Sequence, residues 1–232
     1  MARLPRFTVA GQPHLLIQST KDVARPAFAD DDDRRFYLQA LEQASRICGV
    51  AVHAYVLLND SVLLLATPDE ADALGRLMQR TARRYVPAFN RRHGRFGPLW
   101  DGRFGAAVID AEHYLLKAIR FVEQAPVRAG LVADARDWPW SSVEHHLGRT
   151  SPSPLVQPHR RHWELGNTPF EREARHEDQL SHSLSGVEID ELSTALRRGW
   201  PLGSVTFSAL ISQASGRPSK PRPRGRPRAA SV

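Results

Sequence analysis

Arg76, Arg80, Arg83 and Arg84 recur at helical spacing, opposite an apolar stripe of Leu74, Leu77, Met78, Thr81 and Tyr85. A one-sided row of guanidinium groups can follow a phosphate backbone, releasing condensed counterions as it binds. A solvated helix face is the plainer reading of the same row. Arg91, Arg92 and His93 follow, and then a turn-rich stretch from Gly94 to Phe104 carries Arg95 and Arg103. Its rings, Trp100 and Phe104, either stack on unpaired bases or pack into a core.

Other reactive side chains point to less. His159 and His162, with His176 and His182, suggest a metal, but no cysteine or matched ligand pair accompanies them, so none is expected. Asp30 to Asp33 suit a helix cap and first turn, where negative charge meets the dipole. His53 and Tyr55 share a strand face, yet tyrosine is not the usual second ligand. The single cysteine, Cys48, excludes an intramolecular disulfide and reads as a small buried residue on a helix.

The elements that must position these residues follow from periodicity. His14 to Thr20 reads as a strand. A helix opens at Asp30 and carries Phe36, Tyr37, Ala40, Leu41, Ala44, Ile47 and Cys48 up to Gly49. Val50 to Leu58 and Ser61 to Thr67 form two strands joined by a turn at Asn59-Asp60. The arginine helix comes next and is expected to kink or end at Pro87. Ala106 to Ile109 is a fourth strand. Asp110 then caps a helix with Ala111, Leu115, Ala118 and Val122 on one stripe, and Pro126 ends it. This order predicts an α+β fold, a ferredoxin-like βαββαβ sheet with one additional helix.

Residues 1–148 are expected to form that domain, 149–184 a proline-rich linker, and 185–216 a helical hairpin opened by the capping box Ser185-x-x-Glu188. The hairpin reads as a DNA-reading helix-turn-helix or as a packing unit. Residues 217–232 are expected to form a basic, disordered tail. The whole chain has 232 residues, a 41% apolar share, a net charge of +7 and a sequence pI near 10.3. Such a balance favours a polyanionic partner. No run of about 18 apolar residues predicts a membrane span, and MARLPRFTVAG lacks the apolar core of a signal peptide. The expected location is cytoplasmic, on the nucleoid if the source is bacterial.

Three segments occur in order: Gly97-Pro98-Leu99-Trp100 with Gly102-Arg103-Phe104, then Pro126-Val127-Arg128-Ala129-Gly130-Leu131-Val132, then Trp138-Pro139-Trp140-Ser141-Ser142. Together they resemble the single-tyrosine transposases of the HUH superfamily, in their REP-associated branch. The resemblance runs from about Pro5 to about Gly148. It implies the same ferredoxin-like fold. It also implies cutting and joining of single-stranded DNA through a 5′-phosphotyrosine link, with a divalent metal such as Mg²⁺. The family holds that metal with a His-hydrophobe-His pair on a strand and a polar residue four positions after the tyrosine. Alternate strand residues share a face, and residues i and i+4 of a helix do too.

On this sequence the strand motif falls on Ser61-Val62-Leu63, with Ala54 to Leu57 before it and Leu64-Leu65 after it fixing the register. The tyrosine position is Phe121, which keeps the ring and lacks the hydroxyl. The third-ligand position is Ala125. No catalytic residue, metal or cofactor is therefore expected. Tyr114 lies seven residues before Phe121, about 10 Å along the helix, whereas reacting atoms must come within about 3.5 Å.

The expected function is DNA binding by a transposase-derived protein that no longer cleaves. Its partner would be hairpin or single-stranded DNA, held by Arg76, Arg80, Arg83, Arg84, Arg91, Arg92, Arg95, Arg103 and Arg128. Pro223-Arg224-Gly225-Arg226-Pro227 resembles an AT-hook core, whose Arg224 and Arg226 would enter a narrow A·T minor groove of duplex DNA. Two other readings stay open: an active transposase working at palindromic repeats, and a protein-interaction module with a basic surface. The sequence leaves the oligomeric state open.

Overall fold

The computed structural model describes residues 7–20, 26–150 and 154–218. The AT-hook-like run, with Arg224 and Arg226, lies outside them. The βαββαβ order is present: β1 His14–Ser19, α1 Asp31–Cys48, β2 Val50–Leu57, β3 Ser61–Pro68, α2 Ala73–Arg92, β4 Gly105–Val108, then the additional helix α3 Ala111–Glu123. Among the described residues the strands form one sheet in the order β2-β3-β1-β4, with every pair antiparallel. This is the ferredoxin-like arrangement.

Local chemistry sets the boundaries. The Asp30 side chain accepts from the Asp33 amide and starts α1. Gly49 ends it at φ 64°, where a β-carbon would also come within 2.8 Å of the Asp69 carboxylate. Asp110 caps α3 by accepting from the Glu112 amide. Pro87 does not end α2, which continues to Arg92. The ring removes one amide donor, but Tyr85 and Phe89 on either side stay buried against the sheet, and that packing outweighs the loss.

The sheet separates two apolar layers. Leu16, Val62, Leu64 and Ala66 face α1 and α2. Leu15, Leu63 and Leu65 face α3. A bulge between Val52 and Ala54 shifts the alternation of β2, so that Val52 and Tyr55 meet the first layer while Ala54 and Val56 meet the second. Trp100 and Phe104 are core residues of the first layer, which removes them as platforms for bases.

After α3 come α4 Ala125–Arg128, α5 Val143–His146, α6 Arg160–Trp163, α7 Pro169–Ser181, α8 Gly186–Arg198 and α9 Val205–Ser215. Helices α6 and α7 form within 149–184, the stretch expected as a linker. Helix α7 has a full capping box between Thr168 and Glu171 and proline in its first turn. Only His176 and Leu180 are buried on it, so it has too little apolar stripe to announce itself.

Both sheet edges are covered, which blocks pairing with another chain. Along β2, the Trp138 indole donates to the Leu57 carbonyl, Leu57 N–H donates to the Trp140 carbonyl, Ser142 N–H donates to the Tyr55 carbonyl, and Tyr55 N–H donates to Ser142 Oγ. Along β4, Leu202 bonds Val108 and Asp110 as a short parallel addition. Helix α8 places Leu192 and Leu196 in the α3 layer, and α9 packs Phe207 and Ile211 on Phe7 and Val108. The 185–216 hairpin therefore shares the core of the sheet domain. No helix among the described residues is long and apolar enough to cross a membrane.

Candidate functional site

Ser61 opens β3 and Leu63 follows two residues later on the same face, the one turned toward α3. Helix α3 brings Phe121 to that face, and Ala125 follows in the first turn of α4. Leu63, Phe121 and Ala125, each about 5% exposed, belong to one apolar cluster with Val56, Leu65 and Val122. The Ser61 hydroxyl donates to the neighbouring Asp60 carboxylate at 2.9 Å. The three buried positions offer hydrocarbon alone, with no metal-ligating atom and no hydroxyl among them. The guanidinium of Arg128 closes it on one side, 4.2 Å from the Phe121 ring centroid.

The substitutes are engaged elsewhere. The Tyr114 hydroxyl donates to Glu191 on α8 at 3.1 Å, and burial raises its pKa, as does that carboxylate. The His53 ring is bonded on both nitrogens, at 2.7 Å to the Gln157 carbonyl and at 2.8 Å to the Thr67 hydroxyl. Burial lowers its pKa to about 4 and pushes the Tyr55 phenol up to about 12.

The arginines fall into two groups. Arg76 pairs with Glu70 and Asp72. Arg84 bonds Gln43 and lies over the Phe36 ring. Arg92 bridges Asp30, Asp32 and the buried Asp33. Arg95 lies over Phe89 and reaches the Pro26 carbonyl, and Arg128 donates to the Phe121 carbonyl. Arg80, Arg83, Arg91 and Arg103 are exposed and have no ion pair among the described residues. Arg80 and Arg83 line a groove of about 410 Å³ between α1 and α2, with Gln43 and Ile47 on its other wall. That groove lies on the opposite side of the sheet from Phe121.

Arg91 and Arg103 flank the stretch that leads into β4. This stretch docks on the end of β1: Asp101 N–H donates to the Ser19 carbonyl at 2.8 Å, and Thr20 bridges Trp100. Ser19 pairs with Ser61, so the stretch sits at the Ser61 end of the sheet. Phe96, on this stretch, is 96% exposed. The sequence reading gave this ring no binding role. Its signal was its place between Arg95 and Gly97 in a turn, away from any apolar stripe.

No family model and no curated protein matches the sequence. Among solved structures, a REP-associated tyrosine transposase bound to a REP hairpin matches with a TM-score of 0.56 and 16% identity, over 68% of this chain and 93% of that one. The chain has the fold of a REP-associated tyrosine transposase. A transposase-like protein from Deinococcus radiodurans matches with a TM-score of 0.37 and 23% identity, over 53% of this chain and 97% of that one.

On this transposase fold a second polar group lies under α3. Glu123, two residues past Phe121, is fully buried. Its carboxylate accepts from Ser142 Oγ at 2.7 Å and meets His146 Nδ1 at 2.6 Å and His176 Nε2 at 2.8 Å. Burial opposes its charge, but the two imidazoles and their hydrogen bonds hold its pKa well below the usual carboxylate range. Of the four histidines weighed from the sequence, the structure brings His162 and His176 to this group. His159 caps α6 instead, and His182 is exposed, bonded to the Asp178 carbonyl. His146 was missed because its partners are 23 and 30 residues away along the chain.

Proposed function

We propose that this protein binds DNA on a transposase fold and does not cleave it. The observation that carries this reading is the apolar cluster of Leu63, Phe121 and Ala125, at the positions where the family's metal ligand, nucleophile and last ligand would stand. Ser61 at the remaining position supports it, since a hydroxyl bonded to Asp60 is a poor metal ligand. The basic surface survives apart from that chemistry. Arg91 and Arg103 with Phe96 form a positive, aromatic-bearing rim at the Ser61 end of the sheet, suited to a phosphate backbone and an unpaired base. The similar solved structure holds a REP hairpin, and we take a hairpin with a single-stranded flank as the ligand class. The tail, with Arg224 and Arg226, adds contact to A·T-rich duplex.

The test compares a hairpin bearing a single-stranded flank with an unstructured strand of equal length at physiological salt. The reading expects tighter binding to the hairpin, and equal affinities would count against it. Removing residues 219–232 should then flatten the salt dependence of duplex binding by several units. An unchanged slope would remove the tail from the account.

A further inference from the structure

We propose that Glu123, His146, His162 and His176 form a structural site for a divalent transition metal of the zinc type. Glu123, His146 and His176 each offer a ligand atom, and these atoms lie within 4.8 Å of one another. Ligands of a four-coordinate zinc ion, at about 2.0–2.1 Å from the metal, stand about 3.3 Å apart. Small side-chain shifts convert the first arrangement into the second. The His162 ring completes the set, with its centroid 4.7 Å from that of His146 and 5.4 Å from that of His176.

The second observation is what these rings lack. His162 is about 95% buried, and neither of its nitrogens has a hydrogen-bond partner. His146 Nε2 and His176 Nδ1 are buried without partners as well. Buried polar atoms are almost always satisfied, and a buried imidazole with both nitrogens open, stacked near two others that already face one buried carboxylate, suits a cation better than it suits packing. Imidazole with carboxylate is a donor set for zinc and its first-row neighbours, not for magnesium. A cavity of about 120 Å³ lined by His145, His146, His162, Trp163, Arg172 and Glu173 gives an ion a way in.

The four ligands come from four helices. Glu123 is on α3, His146 on α5, His162 on α6 and His176 on α7. Helices α5 and α6 have four residues each, far too short to persist alone. A metal at this point would fasten the 149–184 segment to the helix that carries Phe121. Ser142 adds an outer hydrogen bond that orients Glu123. The site lies beneath the Phe121 cluster and shares no residue with it.

The test uses tag-free full-length protein, stripped with a chelator and titrated with Co²⁺ and then Zn²⁺. The expected result is one Co²⁺ per chain with a visible four-coordinate spectrum, displacement by Zn²⁺, and a rise in melting temperature with Zn²⁺. His162→Gln should stay folded, because its nitrogens hold no bond, and should weaken Zn²⁺ binding by about 100-fold. His182→Gln should leave stoichiometry and affinity unchanged. A folded wild type that takes up neither ion would overturn the proposal. So would uptake that survives both His162→Gln and His176→Gln, since the ion would then sit elsewhere. The readout needs no DNA, so its failure is separate from failure of the DNA-binding reading.

Discussion

Arg128 lies over Phe121. Its guanidinium is 4.2 Å from the ring centroid, and the same side chain donates to the Phe121 carbonyl. The Phe121 ring is therefore a packing surface, with Leu63 and Ala125 beside it and a cation above it. Arg128→Ala should cost about 1–2 kcal/mol of stability, from the cation–π contact and the lost hydrogen bond. It should leave DNA affinity within about twofold of wild type. A melting curve and a binding isotherm check this together, and a large loss of affinity in a stable variant would return Arg128 to the DNA contacts.

The exposed arginines carry the opposite expectation. Arg91→Gln with Arg103→Gln should leave the melting temperature unchanged and reduce the salt slope of DNA binding by about 1 to 2 units, as two lost phosphate contacts require. Arg80→Gln with Arg83→Gln gives the same kind of loss only if DNA reaches the α1–α2 side of the sheet. Arg92→Gln should act on stability instead. It strips a partner from Asp33, whose side chain is 3% exposed, and leaves the His93 ring and the Ala29 N–H among its remaining partners. A lower unfolding midpoint is expected in a denaturant titration.

Phe96 separates stacking from charge. A ring this exposed contributes almost nothing to folding, so Phe96→Ala should be silent in a melting curve. If the ring stacks on an unpaired base, the variant should bind a flanked hairpin about 1–3 kcal/mol more weakly. A blunt hairpin without the flank should bind both proteins equally.

Acid should loosen the N-terminal end of the sheet through His14. Val9 N–H donates to its Nε2, so the ring is neutral and its Nδ1 donates to the Gln12 carbonyl. Burial lowers its pKa from 6.5 to about 4. A depressed histidine stabilises the fold fully above the unfolded pKa, and that stability falls as pH drops from 6.5 toward 4. The contribution is on the order of 3 kcal/mol at most. His14→Gln should be less stable at neutral pH and should flatten this part of the stability–pH curve. An unaltered curve would assign the acid sensitivity to other groups.

Much of this architecture could be read from residue order. Strand alternation in β1 and β3, the caps at Asp30 and Asp110 and the Ser185–Glu188 box all act within a few residues, where sequence carries the physics directly. The placing of Leu63, Phe121 and Ala125 on one surface came from the family resemblance, since strand and helix periods alone do not bring β3 against α3. Helix α7 was missed although Thr168, Pro169 and Glu171 spell its start, because its buried face is a histidine and a leucine. The length of α2 was missed because proline's local cost was weighed without the packing of Tyr85 and Phe89 around it. The Glu123 group was out of reach for a different reason. It joins four helices that only tertiary folding brings together, and no spacing rule links 123, 146, 162 and 176.

The central claim is binding without cleavage, and one reaction tests it. Full-length protein is mixed with a labelled hairpin carrying a single-stranded flank, in the presence of Mg²⁺ or Mn²⁺, and divided between a native and an SDS gel. The account predicts a shifted complex on the native gel and free DNA of unchanged length on the SDS gel. Phe121→Tyr should give the same result, because Ser61, Leu63 and Ala125 still provide no metal site beside the restored hydroxyl. A protease-sensitive, SDS-resistant adduct formed by the unmodified protein would contradict the account.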